Sequence, residues 1–430
     1  MNRATNSKGW SAELFNLISP KGLKQLLAYS SGNFGAQLVM MLYAVLVARF
    51  LEPENLGVYS GVYAILGVSI TLVNLGMDNW FLKEGSRGGD RSLKFFSVVS
   101  NKIFLGILWT LLCLLFIPLL KPEAFRIAFI LFACIDLLCD SLLNSIIALL
   151  TIDKAVRKTN TLILASRSGK LVLLLGLIFL QGKAVVWVAL TRMLVALIVC
   201  GLGFLELQKQ EDFHWRLPRL NLSILKDARH FALSDILAVI YGNLDLAILS
   251  VYSLVQAGYY SPATGIIHAL FVIPSSFYYY FLPTVTKGLD LGTWKQKPDS
   301  VKLILLFSVL GVVLSLGTLV FAYTLFLPIL GADYQLSRPL LGLLSPILIF
   351  KSISMGFAVL IVAQALQQKR LLPQFLIALL DIILVFALVP GFGARGVAWA
   401  YLASELLLML AYAVIAIKYA DNNPQVVDRS

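Results

Sequence analysis

The sequence predicts an all-α polytopic membrane protein: twelve transmembrane helices in two six-helix repeats around a central cavity. Three observations carry that prediction. The chain is 59% hydrophobic and 13% charged, with a mean hydropathy of +0.84, too little charge to cover a soluble domain of 430 residues. Apolar runs of about 18 residues or more recur along the whole length. Landmarks in the first half also return, in the same order, in the second.

The spans fall at 26–48, 56–80, 97–118, 126–150, 158–180, 184–205, 230–252, 258–284, 302–327, 338–365, 372–389 and 394–418. Several exceed 20 residues, so tilt or extension into the headgroup region is expected. The longest polar interval, 206–229, is too short to fold alone. The N-terminal stretch "MNRATNSKGWSAELFNLISPKGLKQLLAYS" lacks the short charged region, compact apolar core and small-residue cleavage site of a signal peptide, so no processing is expected.

Charge sets the orientation. With the N-terminus in the cytoplasm, cytoplasmic segments hold 24 of the 35 Lys and Arg residues and the opposite loops hold 6. The other five, Lys102, Arg167, Lys170, Arg192 and Lys351, lie within spans. This bias over short loops places both termini in the cytoplasm. It also accounts for most of the formal charge of +12, so nucleic acid is not expected as a partner.

The repeat is read from two landmarks. "LGVYS" (56–60) aligns with "AGYYS" (257–261) at an offset of 201, and "GKAVVWVAL" (182–190) resembles "GARGVAWAYL" (393–402) near 212. The halves are thus 1–210 and 211–430. An even number of helices per copy gives both the same orientation, about an axis along the membrane normal, an arrangement suited to alternating access.

Other classes are disfavoured. Cys113, Cys134, Cys139 and Cys200 all lie in apolar runs, against a disulfide framework or a zinc site. The histidines show no metal-ligand spacing. There is no GxxxxGK[ST], GxSxG or HExxH string, so neither ATP binding nor a catalytic residue is assigned, and no cofactor or metal is expected. A membrane polymerase or ligase would need a sizeable outside loop, and the outside loops here are short. No "TVGYG"-type filter is present.

The order of motifs resembles the polysaccharide transporter (Wzx-type) branch of the MOP flippase superfamily, which also holds the MATE exporters and lipid II flippases. The matching stretches are "LVARFLEPENLGVYSGVYAILGVSITLVNLGMDNWFLKEGSR", "YGNLDLAILSVYSLVQAGYYSPATGI", "LPILGADYQLSRPLLGLLSP" and "VPGFGARGVAWAYLASELL". The resemblance implies a V-shaped bundle. It implies movement of an undecaprenyl-pyrophosphate-linked oligosaccharide, such as an O-antigen or exopolysaccharide repeat unit, from the inner to the outer leaflet of the bacterial plasma membrane. The partners it implies are that lipid-linked glycan, the bilayer and the glycan polymerase machinery, with the protein a monomer. The alternative is a cation-coupled, MATE-like exporter of a small molecule. MATE exporters usually carry an acid in the first span, and residues 26–48 contain no Asp or Glu.

Charges at bilayer depth cost several kcal/mol and mark functional candidates. Arg167 and Lys170 share a helix face in span 5, and by depth Asp140 matches Arg167 and Asp136 matches Lys170 in span 4. Three readings stay open: buried pairs that lock the spans together, cations lining a cavity for the pyrophosphate with the aspartates tuning them, or lipid-facing side chains that snorkel. Arg192 and Lys351 are further cavity candidates, whereas Lys102, near a span end, is expected to snorkel. At an offset of 211 Lys170 falls on Asp381, and Arg192 falls close to Glu405. Asp381 and Glu405 are candidates for a coupling Na⁺ or H⁺ or for charge pairing with Lys351; Asp245, with Asp235 in the same span, adds to these acids, or is a scaffold residue, since "NLDLAIL" resembles a recurrent element of the family. His268 is read as a core histidine. Tyr278, Tyr279, Tyr280, Tyr259, Tyr260 and Trp80 are read as interfacial aromatics.

Overall fold

The computed structural model describes residues 20–87, 90–121, 124–179, 184–209, 220–221, 223–289, 298–364 and 366–418, and among them it contains helices and connecting turns but no strand. The helices, in order, are α1 (Pro20–Ser69), α2 (Thr71–Asn74), α3 (Met77–Ser86), α4 (Arg91–Leu120), α5 (Ile127–Ile152), α6 (Val156–Phe179), α7 (Val185–Gln208), α8 (Ser223–Tyr252), α9 (Leu254–Leu289), α10 (Pro298–Thr324), α11 (Phe326–Leu330), α12 (Ser337–Leu344), α13 (Ile347–Ala363), α14 (Leu371–Phe392) and α15 (Ala394–Lys418).

Each expected span lies on one or more of these helices. Ten stretches are long and apolar enough to cross a membrane, and the first of them, Gly35–Ser86, holds spans 1 and 2. The remaining span lies on α8 (Ser223–Tyr252). Spans 1 and 2 join at Glu52, where φ 62 and ψ 166 break the helix just before Pro53. Proline in the following first turn lacks an N–H that would otherwise need a partner.

Span 2 is itself interrupted. Leu75 and Gly76 both take left-handed backbone, with φ of 38 and 69, between α2 and α3. Span 10 is divided at Ser345–Pro346 into α12 and α13. Backbone irregularity at membrane depth is tolerated where protein, rather than lipid, surrounds it.

The chain forms two compact units. The first comprises Leu38–Pro262 and Val385–Val397. Here α5 packs along α4, α6 and α7, and α3 packs on α5 and α8. Its apolar core is built from Met77, Phe81, Phe95, Ile146, Leu149 and Leu207, all nearly or fully buried. Leu111, Leu115 and Leu119, on one side of α4, are exposed, as a lipid-facing stripe requires.

Within this unit the second limb of α1 crosses the start of α9 at backbone contact. A Cβ on Gly57 would stand 1.8 Å from the Leu254 carbonyl oxygen, and one on Gly258 would stand 1.7 Å from that of Pro53. Gly57 and Gly258 are 201 residues apart, and so are Pro53 and Leu254. The contact is therefore reciprocal between positions related by the sequence offset. Such close approach of helix backbones needs small residues.

The second unit contains Ala263–Leu384 together with the described parts of Met1–Gln37 and Ala398–Ser430. In it α10 lies against α12 and α13. Gly311 faces Ile349, and Gly356 faces Phe307, again giving close helix contact through absent side chains.

Candidate functional site

The first unit holds a buried charge network centred on Asp136 of α5. Lys170 Nζ of α6 lies 2.9 Å from Asp136 Oδ1 and 2.8 Å from Asp140 Oδ2. Arg192 Nε of α7 donates to Asp136 Oδ2 at 2.7 Å. Asp136 and Lys170 are fully buried, Arg192 nearly so, and Asp140 keeps 28% of its side chain exposed.

Tyrosines of α1 complete this network. Arg192 Nη1 donates to Tyr59 Oη at 2.6 Å, and Tyr63 Oη donates to Asp136 Oδ2 at 3.1 Å. The guanidinium carbon sits 4.2 Å from the centre of the Tyr63 ring. A planar, weakly hydrated cation is well served by a carboxylate on its edge and an aromatic face beneath it.

The geometry corrects the expected pairing of Asp140 with Arg167. The i, i+4 aspartates lie on adjacent turns, so one ammonium reaches both. Lys170 does so. Arg167, one turn away on α6, is half-buried and has no ion-pair or hydrogen-bond partner among the described residues. The two cations and two carboxylates of the network balance, and Arg167 adds one uncompensated positive charge beside them.

In the second unit Lys351 of α13 pairs with Glu405 of α15, which is 1% exposed. The Lys351 ammonium also stands 4.7 Å from the Phe271 ring centre and 5.3 Å from that of Tyr401. Asp381 of α14 is buried and accepts a hydrogen bond from Ser404 Oγ at 2.7 Å. His268 approaches the Tyr401 hydroxyl at 3.3 Å, which makes it a core histidine with a polar neighbour.

The two clusters are charge-inverted. Asp140 and Lys351 are 211 residues apart, as are Lys170 and Asp381. One unit places acids on α5 and bases on α6 and α7. The other places a base on α13 and acids on α14 and α15.

Two other expectations are corrected. Lys102 does not snorkel: it is fully buried, its ammonium 2.8 and 2.7 Å from the two Asp78 oxygens and 2.9 Å from the Ser141 carbonyl. Ser145 Oγ adds a hydrogen bond to Asp78 at 2.6 Å. Asp78 sits in the first turn of α3, so the break in span 2 is what brings it to Lys102. Tyr260 is not an interfacial aromatic. It is 1% exposed and donates to buried Asp245 at 3.2 Å. Tyr279 is exposed, and Tyr278, Tyr280, Tyr259 and Trp80 are half-buried. The Asp235 side chain lies outside the described residues.

Sequence reasoning missed Tyr59, Tyr63 and Asp78. The tyrosines had a signal, an i, i+4 pair that begins in the repeated "LGVYS" element. Asp78 had none, because its role depends on the interrupted helix.

A twelve-span helical bundle with paired charges sunk in its helices has the build of one class, the multi-pass membrane transporters. Solved structures with this fold include an inward-facing multidrug resistance MATE family transporter of the MOP superfamily, at TM-score 0.71 and 14% identity over 90% of this chain and 94% of that one. The lipid II flippase MurJ, in an inward closed conformation, also gives TM-score 0.71 and 14% identity, over 91% of this chain and 87% of that one. An outward-facing MATE transporter gives 0.62 and 14%, over 92% and 95%. No curated protein matches the chain by sequence. The model of the polysaccharide biosynthesis protein family matches residues 23–287, and the chain belongs to that family, within the MOP flippase superfamily.

Proposed function

We propose that the protein flips an undecaprenyl-pyrophosphate-linked oligosaccharide from the cytoplasmic to the periplasmic leaflet of a bacterial plasma membrane by alternating access. The carrying observation is Arg167: a guanidinium held half-buried in an apolar span, without an ion-pair or hydrogen-bond partner among the described residues, beside a neutralised network. A pyrophosphate supplies the missing counter-charge and can accept a bidentate pair of N–H bonds. Arg192, Lys170 and Lys351 are the further substrate-facing candidates, and Asp136 and Asp140 keep Lys170 and Arg192 charged and in place.

Moving one negative charge outward is favoured by ~2.3 kcal/mol per 100 mV, so the membrane potential can drive the step. Asp381 and Glu405 in the second unit, with Asp245 in the first, are proposed as coupling-ion or charge-pair residues. Both termini are placed in the cytoplasm by the charge bias. The halves 1–210 and 211–430 are proposed as parallel repeats, supported by the reciprocal Gly57–Gly258 crossing. The protein acts as a monomer that hands its cargo to the polymerase machinery. The second reading, a cation-coupled exporter, is favoured only by the buried acids Asp381 and Glu405.

The deciding experiment follows lipid-linked sugar in a deletion strain. The intermediate should accumulate on the inner leaflet and be cleared by the intact protein but not by Arg167→Gln. Clearance by that variant, or drug efflux with no change in lipid-linked sugar, overturns the reading.

A further inference from the structure

A second polar site lies in the first unit, away from Lys170. A cavity of about 700 Å³ is lined by Glu54, Asn55, Lys121, Arg126, Phe129 and Val185, among others. Its walls come from the α1 bend, the α4–α5 turn and the start of α7, segments that the charge bias places outside. That side carries few cations, yet two of them meet here. Among the described residues neither the Lys121 nor the Arg126 side chain has an ion-pair or hydrogen-bond partner, and neither does Glu54.

Two long helices also begin at this cavity. α5 starts after Arg126 and α7 after Ala184, and neither has a side-chain cap. Their first-turn N–H groups lack partners within the helix and add positive potential at the rim. Phe129, on the inner wall, has its ring centre 6.4 Å from that of Tyr59 and 6.2 Å from that of Tyr63. These are the tyrosines that hold Arg192 and Asp136. One aromatic layer therefore separates the cavity from the buried network.

We propose that this cavity binds a phosphate headgroup on the outer side, with Lys121 and Arg126 as its charged donors. Asn55 and Glu54 offer a donor and acceptors for hydroxyls attached to that headgroup. The occupant is a phosphate-bearing amphiphile, either the pyrophosphate head of a delivered lipid or a phospholipid of the outer leaflet. The outward placement rests on the orientation proposed above; the binding itself does not.

The test uses the full chain in nanodiscs, which expose both faces. Ala184→Cys adds one exposed thiol at the cavity, while the four native cysteines are buried. Maleimide labelling of that thiol is timed with and without inorganic pyrophosphate, and in phosphatidylglycerol against phosphatidylcholine. Protection of about tenfold or more is expected. Protection by pyrophosphate identifies a phosphate head alone as sufficient, and protection only in phosphatidylglycerol identifies a bilayer lipid. Lys121→Gln with Arg126→Gln should remove it, whereas Arg167→Gln should retain it and so separate this site from the transport site. A labelling rate unchanged by either anion, or protection that survives the Lys121/Arg126 double change, overturns the proposal.

Discussion

Arg192 donates from Nε to Asp136 Oδ2 at 2.7 Å, and that carboxylate, with none of its side chain exposed, is the only one either Arg192 or its tyrosines touch among the described contacts. Asp136 also serves Lys170 through its other oxygen. Removing it leaves Arg192 without a carboxylate among the described residues and Lys170 with the partly exposed Asp140 alone. Asp136→Asn should therefore destabilise the protein by about 3–5 kcal/mol. Asp136→Asn with Lys170→Met should recover part of that loss. Thermal unfolding in detergent checks both; a single variant as stable as the parent would show that the network carries no structural weight.

Arg167 behaves in the opposite way. It has no partner to lose among the described residues, so Arg167→Gln should leave Tm and protein level unchanged while abolishing surface polysaccharide. Reduced protein level with proportionate loss of polysaccharide would instead mark it as a structural residue. Asp140→Arg combined with Arg167→Asp should fail to restore function, since these two side chains do not pair.

Lys102 and Asp78 form the second buried pair. Lys102→Met and Asp78→Asn should each cost about 3 kcal/mol or more, because each strands the other partner. The double change Lys102→Met with Asp78→Asn should cost less than the sum of the two single changes. A Tm series on the four proteins measures the coupling, and additive losses would contradict it.

The Gly57–Gly258 crossing predicts a sharp contrast among glycines. Gly57→Ala or Gly258→Ala drives a methyl into a carbonyl and should abolish monodisperse protein on gel filtration. Gly67→Ala, also on α1 but with nothing within 4 Å of the added methyl, should be tolerated or stabilise slightly, by up to ~1 kcal/mol.

The twelve spans were legible because apolar length is a one-dimensional property that lipid thickness enforces directly. Partner choice was not. Lys170 and Arg167 share a face and a similar depth, and only the side-chain reach across to α5 decides which takes both aspartates. Lys102 misled for a related reason: five residues inside a span is shallow enough to reach water, but a broken helix brought Asp78 to it first. Tyr59 and Tyr63 were hidden among many apolar-looking aromatics, since an aromatic ring gives no hint of where its hydroxyl points.

The place where α1 and α9 touch is made of main chain on both sides. Nothing in it depends on the shape or chemistry of a particular side group. A joint of this sort leaves the surrounding residues free to drift over evolutionary time, because its fit is fixed by two missing methyls alone. The crossing point itself therefore asks only that those two positions stay bare.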